Sequence, residues 1–333
     1  MNYRPLGKSG IEASTVALGA WAIGGWMWGG QDEQQSIRAI QAAIDEGINL
    51  IDTAPMYGFG RSEQIIGRAI AGRREKVVIA TKCGLRWDID QGEVHFRTTE
   101  EAIDPHGEIV VRRCCKAESI IEEVEQSLRR LSTDHIDLLQ THWQDPATPI
   151  EETAQAMARL KEQGKIRAIG ASNASPQQMD IYRRVSGLDT DQEKYSMLFR
   201  DAEKTLLPYC LQHNVAFLAY SPLANGLLSG RMGPERTFPP GDLRGTRPLF
   251  SQENRRTIAA LLEEIRPIAE AHAITISQLV IAWTLHQPGC THALVGIRDP
   301  QQARENAAAA DVRLTSHELL QINAGVEKVQ LRL

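Results

Sequence analysis

The sequence has few cysteines, no excess of basic charge and no long apolar run. Five of its 333 residues are cysteine, and with only Cys114 and Cys115 adjacent they indicate neither a disulfide framework nor a zinc site. The net charge of -5 argues against nucleic acid or an anionic membrane as a partner. No stretch approaches the ~18 consecutive apolar residues of a membrane span, and the opening MNYRPLGKSG lacks the apolar core of a signal peptide. These absences predict a cytoplasmic protein that acts on a small molecule.

A glycine motif is also missing. Open doubly wound sheets that bind dinucleotides carry G-x-G-x-x-G after the first strand. Residues 19–30 of this chain read GAWAIGGWMWGG, which is rich in glycine but differently spaced and crowded with tryptophan. A doubly wound open sheet is the main competing fold, and the absence of this motif argues against it.

The chain does contain a regular alternation of strand-like and helix-like segments. Asp52 and Lys82 are 30 positions apart, as are His142 and Ser172, which is close to the length of one strand–helix–strand unit. Apolar, β-branched segments with this spacing are typical of buried parallel strands. Eight such strands are predicted, at residues 15–19, 48–52, 77–82, 136–142, 166–172, 192–198, 216–223 and 292–297.

Eight strand–helix steps predict a (β/α)₈ TIM barrel, formed by residues 1–333 as a single domain. The segment NYRPLGKSGIEAST alternates around a glycine-containing turn and predicts an N-terminal β-hairpin outside the barrel. Two intervals are too long for one step, so we expect long loops after strand 3 (residues 86–113) and strand 7 (residues 226–251). Loops at that end of a barrel usually carry function.

Four titratable residues lie at or just after the ends of predicted strands. Asp52, Lys82 and His142 end the second, third and fourth strands, and Tyr57 follows five positions after Asp52. Because the carboxyl ends of barrel strands meet at one mouth, these side chains are expected to lie together. An ammonium beside a phenol stabilises the phenolate and makes tyrosine a usable acid, and a carboxylate would orient the ammonium. Each residue alone also fits a structural role, and a lyase that uses Lys82 as a Schiff base is an open alternative.

Several motifs resemble those of the aldo-keto reductases. They are LIDTAPMYGFGRSEQIIG (50–67), ATKCG (80–84), THW (141–143), GKIRAIGASN (164–173), QEKYSML (192–198), AYSPLANGLLSGR (219–231) and GIRDPQQARENAAA (296–309). The resemblance implies a barrel that binds NADPH without a Rossmann motif and reduces a small-molecule carbonyl. It also implies that the four residues above form the catalytic tetrad, with Tyr57 as proton donor. The wording is most similar to a bacterial branch that includes general stress and inositol-related reductases.

The resemblance also implies cofactor contacts along the later strands. Ser172, Asn173 and Gln192 match the residues that bind the nicotinamide carboxamide, and Tyr220 matches the aromatic residue that stacks on the ring. The remaining implied contacts are Trp21 at the mouth, Ser221, Leu223 and Gly226 at the pyrophosphate, and Gly296, Arg298, Gln302, Glu305 and Asn306 at the adenosine.

The adenosine end departs from the family pattern. Several relatives carry basic residues where this chain has Gly296 and Gln302, and the nearby cations here are Arg231, Arg244 and Arg298. An arginine fork suits a 2′-phosphate, so NADPH is favoured over NADH. Arg231 and Arg244 are equally consistent with solvated surface residues.

Tryptophans cluster after the first, third and fourth strands. We expect Trp26, Trp28, Trp87 and Trp143 to line a substrate pocket, although rim packing explains two or three of them equally well. Cys83 is expected to face away from the tetrad as a structural thiol.

A second functional class stays open at this point. Some barrels of this family serve chiefly as nicotinamide-binding partners of channels, so a sensor or auxiliary subunit with little turnover is the alternative to an enzyme. The intact tetrad favours the enzyme.

Overall fold

The computed structural model describes residues 1–100 and 107–332 of the chain. Its strands, in chain order, are β1 (Tyr3–Pro5), β2 (Glu12–Ser14), β3 (Val16–Gly19), β4 (Leu50–Asp52), β5 (Val78–Cys83), β6 (Leu85–Arg86), β7 (Glu93–Thr98), β8 (Ile109–Arg113), β9 (Ile136–Thr141), β10 (Ile166–Ser172), β11 (Thr190–Lys194), β12 (Ala216–Tyr220) and β13 (Cys290–Gly296). Its α-helices are α1 (Glu33–Asp45), α2 (Arg61–Ala69), α3 (Ala117–Leu131), α4 (Ile150–Glu162), α5 (Pro176–Val185), α6 (Leu206–His213), α7 (Gln252–Ala271), α8 (Ile276–Leu285), α9 (Pro300–Ala308) and α10 (Ser316–Glu327).

Eight of the strands close into a parallel barrel in the order β10–β11–β12–β13–β3–β4–β5–β9, and β9 pairs with β10 to complete the ring. The predicted (β/α)₈ barrel is confirmed, and each of the eight predicted strands is present. The sixth strand lies earlier than predicted, ending at Lys194. Beyond it, Ser196 and Phe199 exchange backbone hydrogen bonds in a turn.

Alternation along the strands decides which side chains reach the mouth. Leu50 and Ala80 belong to an apolar cluster inside the barrel. Because successive side chains on a strand point to opposite faces, Asp52 and Lys82, two positions further on, also face inward at the carboxyl end. Cys83 belongs instead to the larger apolar cluster between the strands and the surrounding helices, which places its thiol away from Lys82.

The N-terminal hairpin is also present. β1 and β2 are antiparallel, with Tyr3 paired to Ser14. Leu6 and Ile11, which lie in and beside the connecting turn, join the interior cluster. The hairpin thus contributes apolar packing to the barrel interior, and the mouth lies at the carboxyl ends of the strands.

The segment after β5 contains more regular structure than predicted. Instead of an irregular loop, β6, β8 and β7 form an antiparallel sheet in that order. The stretch Glu93–Thr98 alternates in sequence and pairs with Ile109–Arg113. The rest of this predicted loop includes residues 101–106, which lie outside the described part of the chain. A local apolar cluster that includes Phe59 and Val111 packs the sheet against the barrel.

The second long segment, residues 226–251, follows β12 and runs over the mouth as irregular chain with short 3₁₀ turns at Leu243–Gly245 and Pro248–Phe250. We call it the strap. Among the described residues no single helix is long and apolar enough to cross a membrane; α7 and α8 together reach that length and composition, but they are bent by 87°.

Candidate active site

A buried ion pair forms the floor of the mouth. Lys82 Nζ donates to both carboxylate oxygens of Asp52, at 2.8 and 2.9 Å, and to the backbone oxygen of Thr53 at 2.8 Å. The Tyr57 hydroxyl lies 3.4 Å from the same nitrogen, and Gln192 Nε2 donates to Asp52 at 2.7 Å. Lys82 and Asp52 are 1% and 3% exposed, so little water competes for their charges. The ammonium is fixed directly beside the phenol.

The charges around Tyr57 oppose one another. Burial raises the pKa of Tyr57 well above its usual range, and the negative charge of Asp52 raises it further. We expected Lys82 to make this phenol more acidic, but its charge is largely balanced by Asp52. Tyr57 therefore keeps its proton at neutral pH, which is the form that a proton donor requires.

His142 is uncharged at neutral pH. Burial lowers its pKa well below the usual range, and the positive charge of Lys82 acts in the same direction. Its ring stands edge-on to that of Tyr57, with centroids 5.9 Å apart and an angle of 81°. A neutral imidazole offers one N–H donor and no readily transferable proton, so it can polarise a carbonyl rather than protonate it.

A chain of polar side chains continues from the floor along β10 to β12. Asn173 donates from Nδ2 to the backbone oxygen of His142 and to Ser172 Oγ, both at 3.0 Å, and accepts from the Tyr220 hydroxyl at 3.0 Å. Ser172 Oγ donates to the backbone oxygen of Gln192 at 2.8 Å. These bonds hold the side chains rigidly beside the mouth, as a recognition site for an amide requires.

The backbone after β12 forms a concave turn. Ser221, Ala224 and Asn225 have φ values of 56°, 46° and 54°, and Gly226 follows at 97°. Within the turn the backbone N–H of Ala224 donates to the oxygen of Ser221 at 2.8 Å, and that of Gly226 donates to the oxygen of Leu223 at 2.9 Å. Non-glycine residues adopt this conformation only when the surroundings enforce it, so the turn is a built feature of the mouth.

Three arginines lie at the far end of the mouth, and their side chains are held in place to different degrees. Arg244 is held by Asp242 through Nε and Nη2, at 2.9 and 2.6 Å. Arg298 Nε donates to Gln31 Oε1 at 3.0 Å. Arg231 is exposed and pairs with Glu305. Burial lowers the pKa of Arg298, and the positive charge of Arg244 contributes, so the guanidinium groups lie close enough to concentrate positive charge there.

One cavity of about 400 Å³ joins all these features. This volume falls within the range of small-molecule sites. Lys82 lies behind the wall, and its three tetrad partners line the cavity. All the cofactor positions suggested by the sequence also line it: Trp21, Ser172, Asn173, Gln192, Tyr220, Ser221, Leu223, Gly226, Arg231, Arg244, Gly296, Arg298, Gln302, Glu305 and Asn306.

The four tryptophans expected in a substrate pocket separate into two pairs. Trp28 and Trp143 line the cavity. Trp26 and Trp87 instead pack against the apolar cluster beneath the inserted sheet, where both rings lie against Phe59, and in the described part of the chain they are not among the cavity-lining residues. Trp143 packs against the same cluster and also lines the cavity.

Several residues in and beside the cavity were not anticipated from the sequence. Arg236, on the strap, lines the cavity, and its charge affects Arg298. Asp242 orients Arg244, and Gln31 orients Arg298. Arg236 and Asp242 lie in the predicted long loop, but their roles depend on how the strap folds back over the mouth, which no local pattern reveals.

Comparison with known proteins agrees with this geometry. The chain is 43% identical over 330 residues to the aldo-keto reductase YhdN of Bacillus subtilis, covering 98% of this chain and 94% of the relative. It is 41% identical over 321 residues to the NADH-specific methylglyoxal reductase of Escherichia coli, with 95% of each chain covered.

Solved structures give the same result. The glycerol dehydrogenase of Gluconobacter oxydans superimposes with a TM-score of 0.86 at 42% identity, over 98% of this chain and 95% of that one. An aldo/keto reductase of Klebsiella pneumoniae in complex with NADP and acetate gives 0.72 at 29% identity, over 97% and 95%. The model of the Aldo/keto reductase family matches residues 15–327. The chain therefore belongs to the aldo/keto reductase family of oxidoreductases, which bind a nicotinamide cofactor.

Proposed function

We propose that this chain reduces small aldehydes and ketones to alcohols with NADPH, and that Tyr57 donates the proton. The observation that carries the proposal is the Tyr57 hydroxyl 3.4 Å from the ammonium of Lys82, itself paired with Asp52, on the floor of a cavity lined by both apolar and polar residues. A protonated phenol beside a fixed positive charge is suited to donate a proton and to be stabilised after losing it.

The residues around the cavity fit a nicotinamide dinucleotide. Ser172, Asn173 and Gln192 would hold the carboxamide, and Tyr220 would hold the ring face. The concave turn after β12, which includes Gly226 and lines the cavity, would lie against the pyrophosphate. The adenosine end would lie between β13 and α9, among the arginines. When bound there, the cofactor supplies a hydride to the carbonyl carbon.

The chain's own residues then manage the charge on the carbonyl oxygen. The Tyr57 O–H bond breaks as its proton moves to that oxygen, so the product is an alcohol and Tyr57 is left as a phenolate. Lys82 would stabilise the phenolate; burial lowers the pKa of Lys82, and the charge and hydrogen bonds of Asp52 oppose that shift and so favour the ammonium. Neutral His142 can donate its N–H to the same oxygen and so hold the carbonyl in line.

The preference for NADPH is supported by the charge at the adenosine end. Arg244, Arg298 and Arg236 cluster there, and a 2′-phosphate would offset their mutual repulsion. The Klebsiella relative binds NADP, whereas the Escherichia relative is specific for NADH, so the family fold alone does not decide the matter. Hydrogen bonds to a charged group are worth about 1.5–3 kcal/mol, so we expect NADPH to bind at least about tenfold more tightly than NADH. Calorimetric titration with each dinucleotide measures this difference.

The substrate we propose is a small carbonyl compound that carries a second oxygen. The named activities of the two relatives concern methylglyoxal and glycerol, which both have three carbons. Trp21, Trp28 and Trp143 line the same cavity as the polar floor, and such walls suit a small compound with one apolar face.

The test is the Tyr57→Phe variant assayed by NADPH oxidation with methylglyoxal. Loss of a general acid typically costs a factor of about 10²–10⁴, so we expect kcat to fall in that range while NADPH binding is retained. Trp87→Phe, which lies outside the cavity lining of the described residues, serves as the folded control. Wild-type turnover in a folded, cofactor-bound Tyr57→Phe would show that the proton comes from elsewhere. Tight cofactor binding without turnover of any carbonyl in the wild type would instead favour the sensor or auxiliary role.

A further inference from the structure

The segment after β3 touches both halves of the mouth. We call residues 20–30 the tryptophan loop. On one side it packs against the loop that carries Tyr57. A β-carbon placed on Gly24 would lie 2.5 Å from the backbone carbonyl of Tyr57, so the two backbones are in direct contact. The ring of Trp21 lies 6.3 Å from that of Tyr57. Any shift of the tryptophan loop would therefore disturb the proton donor.

On its other side the tryptophan loop is joined to the strap. Trp28 and Asp242 form an antiparallel β-bridge, and the backbone N–H of Leu243 donates to the oxygen of Met27 at 3.0 Å. The guanidinium of Arg244 lies over the ring of Trp28, 4.9 Å from its centroid. Cation–π contacts of this kind are strongest when shielded from water, and Arg244 is 8% exposed.

Arg244 is oriented so that one edge remains for a ligand. Asp242 takes Nε and Nη2 of the guanidinium. A β-carbon placed on Gly226 would lie 3.7 Å from the remaining nitrogen, Nη1, which therefore approaches the concave turn proposed to bind phosphate. A phosphate bound in that turn would hold the same guanidinium that covers Trp28.

The contact between Trp28 and Trp21 completes a continuous series. The two rings meet edge to face, with centroids 5.3 Å apart and an angle of 88°. Arg244, Trp28, Trp21 and Tyr57 are thus packed one against the next from the cofactor end to the proton donor. In the described structure the buried indole N–H of Trp28 has no hydrogen-bond partner, so its position depends on packing and not on a polar anchor.

We propose that Trp28 and Arg244 act as one unit that couples dinucleotide binding under the strap to the shape of the substrate pocket beside Tyr57. The proposal rests on the proposed function, because it assigns the phosphate-bearing cofactor to the strap side of the cavity. Trp28 is a positioning residue in this proposal, because a change in the position of the Arg244 guanidinium would move the Trp28 ring in the pocket wall. The carbonyl substrate should then bind well only when Arg244 is held in place.

A double-mutant cycle on NADPH affinity tests whether the two residues act together. The variants are Trp28→Leu, Arg244→Met and the double substitution, with Kd measured by calorimetry so that no turnover is needed. Coupling between allosterically linked sites is typically fivefold or more, so the loss in the double variant should fall short of the product of the single losses by at least about fivefold. Losses that multiply would overturn the proposal. Trp28→Phe, which keeps an aromatic face for Arg244, should retain most of the coupling.

The kinetics of the carbonyl substrate provide a readout that simple destabilisation would not move. With NADPH saturating, Arg244→Met should raise the KM for methylglyoxal by about fivefold, with a smaller change in kcat. Arg231→Met is the matched control, since Arg231 also lines the cofactor end but pairs with Glu305. It should weaken NADPH binding and leave this KM unchanged. An unchanged KM in Arg244→Met, or an equal rise in both variants, would refute the coupling. If the wild type reduced no carbonyl, the proposed function would fail, while the calorimetric cycle would still decide the coupling.

Discussion

Asp52 and Asp191 are both buried aspartates on barrel strands, 3% and 0% exposed, and they face opposite sides of the barrel wall. Asp52 points into the mouth and accepts hydrogen bonds from Lys82 and Gln192. Asp191, next to Gln192 in the chain, points outward toward the helices, and in the described structure neither of its carboxylate oxygens has a partner. One residue type at similar depth thus occupies two very different electrostatic environments.

The comparison distinguishes a buried carboxyl that serves the chemistry of the mouth from one that the fold keeps protonated. Asp52 is matched by an ammonium, and the pair is available to tune Tyr57. For Asp191, burial and the neighbouring charge of Glu193 raise the pKa well above its usual range, so the carboxyl holds a proton. Glu123 on α3 belongs to the same class, since burial raises its pKa to about 8. Of the two aspartates, the one at the mouth has an opposite charge against it, whereas Asp191 has none within hydrogen-bond distance in the described part of the chain.

The largest effect should come from breaking the matched pair with Lys82→Met. Removing one partner of a buried ion pair leaves an uncompensated charge and typically costs about 3–5 kcal/mol of stability. The Tyr57 phenolate also loses its cation, so we expect kcat for methylglyoxal reduction to fall by a factor of at least about 10³. Turnover and denaturant midpoints measure the two effects.

The double variant Lys82→Met/Asp52→Asn separates the effect on stability from the effect on turnover. With no charge left to bury, stability should recover most of the loss, because a neutral pair of similar volume is tolerated. Activity should not recover, since the phenolate still lacks its cation. Recovery of activity in the double variant would mean that Lys82 serves only to balance Asp52.

The contrast also shows what the sequence could and could not reveal. The inward face of each strand follows from alternation, so the meeting of Asp52, Lys82 and His142 was predictable once eight strands were recognised. The position of the sixth strand was less clear, because its inward residues Thr190 and Gln192 are polar and do not form an apolar run. A search for apolar segments misplaces such a strand.

Other features depend on contacts between distant segments. The segment that includes Glu93–Thr98 forms a sheet only because Ile109–Arg113 pairs with it, and Trp26 and Trp87 pack against the cluster to which Ile109 and Val111 contribute. The raised pKa of Tyr57 likewise reflects burial, which no local sequence pattern reveals. The proximity of the side chains at the strand ends was thus predictable, whereas their burial and the pairing between distant segments were not.

Asp191→Asn should give an effect on stability that depends on pH. In the unfolded chain Asp191 loses its proton near pH ~3.9, whereas the folded protein retains it to much higher pH. In that window the wild type should lose about 1.4 kcal/mol of stability per pH unit as pH rises, and the amide variant should not. Denaturant unfolding at pH 5 and pH 8 should show the variant gaining on the wild type at the higher pH. The exposed Asp201→Asn is the control, and equal differences at both values would show that Asp191 is ionised in the fold.

Glu123→Gln should also change the pH dependence of stability. One oxygen of Glu123 accepts from the backbone N–H of Gly84 at 2.8 Å, and glutamine can keep that bond through its own oxygen. In the folded state the carboxyl has a pKa of about 8, against ~4.3 when unfolded. The stability that the protonated form contributes is therefore complete below pH ~4.3 and is lost as the pH rises to about 8. The variant should gain on the wild type across this window and run parallel to it above.

The control for Glu123→Gln is Glu118→Gln, an exposed position on the same helix, which should follow the wild type at every pH. Because Gly84 lies two positions after Lys82, activity provides a further check on the comparison. If Glu123 is, like Asp191, a buried carboxyl that takes no part in the chemistry, kcat for methylglyoxal should be unchanged at pH 7 in the variant, in contrast to the loss expected for Lys82→Met. A fall in kcat without a change in the pH dependence of stability would place Glu123 with Asp52 among the groups that tune the mouth.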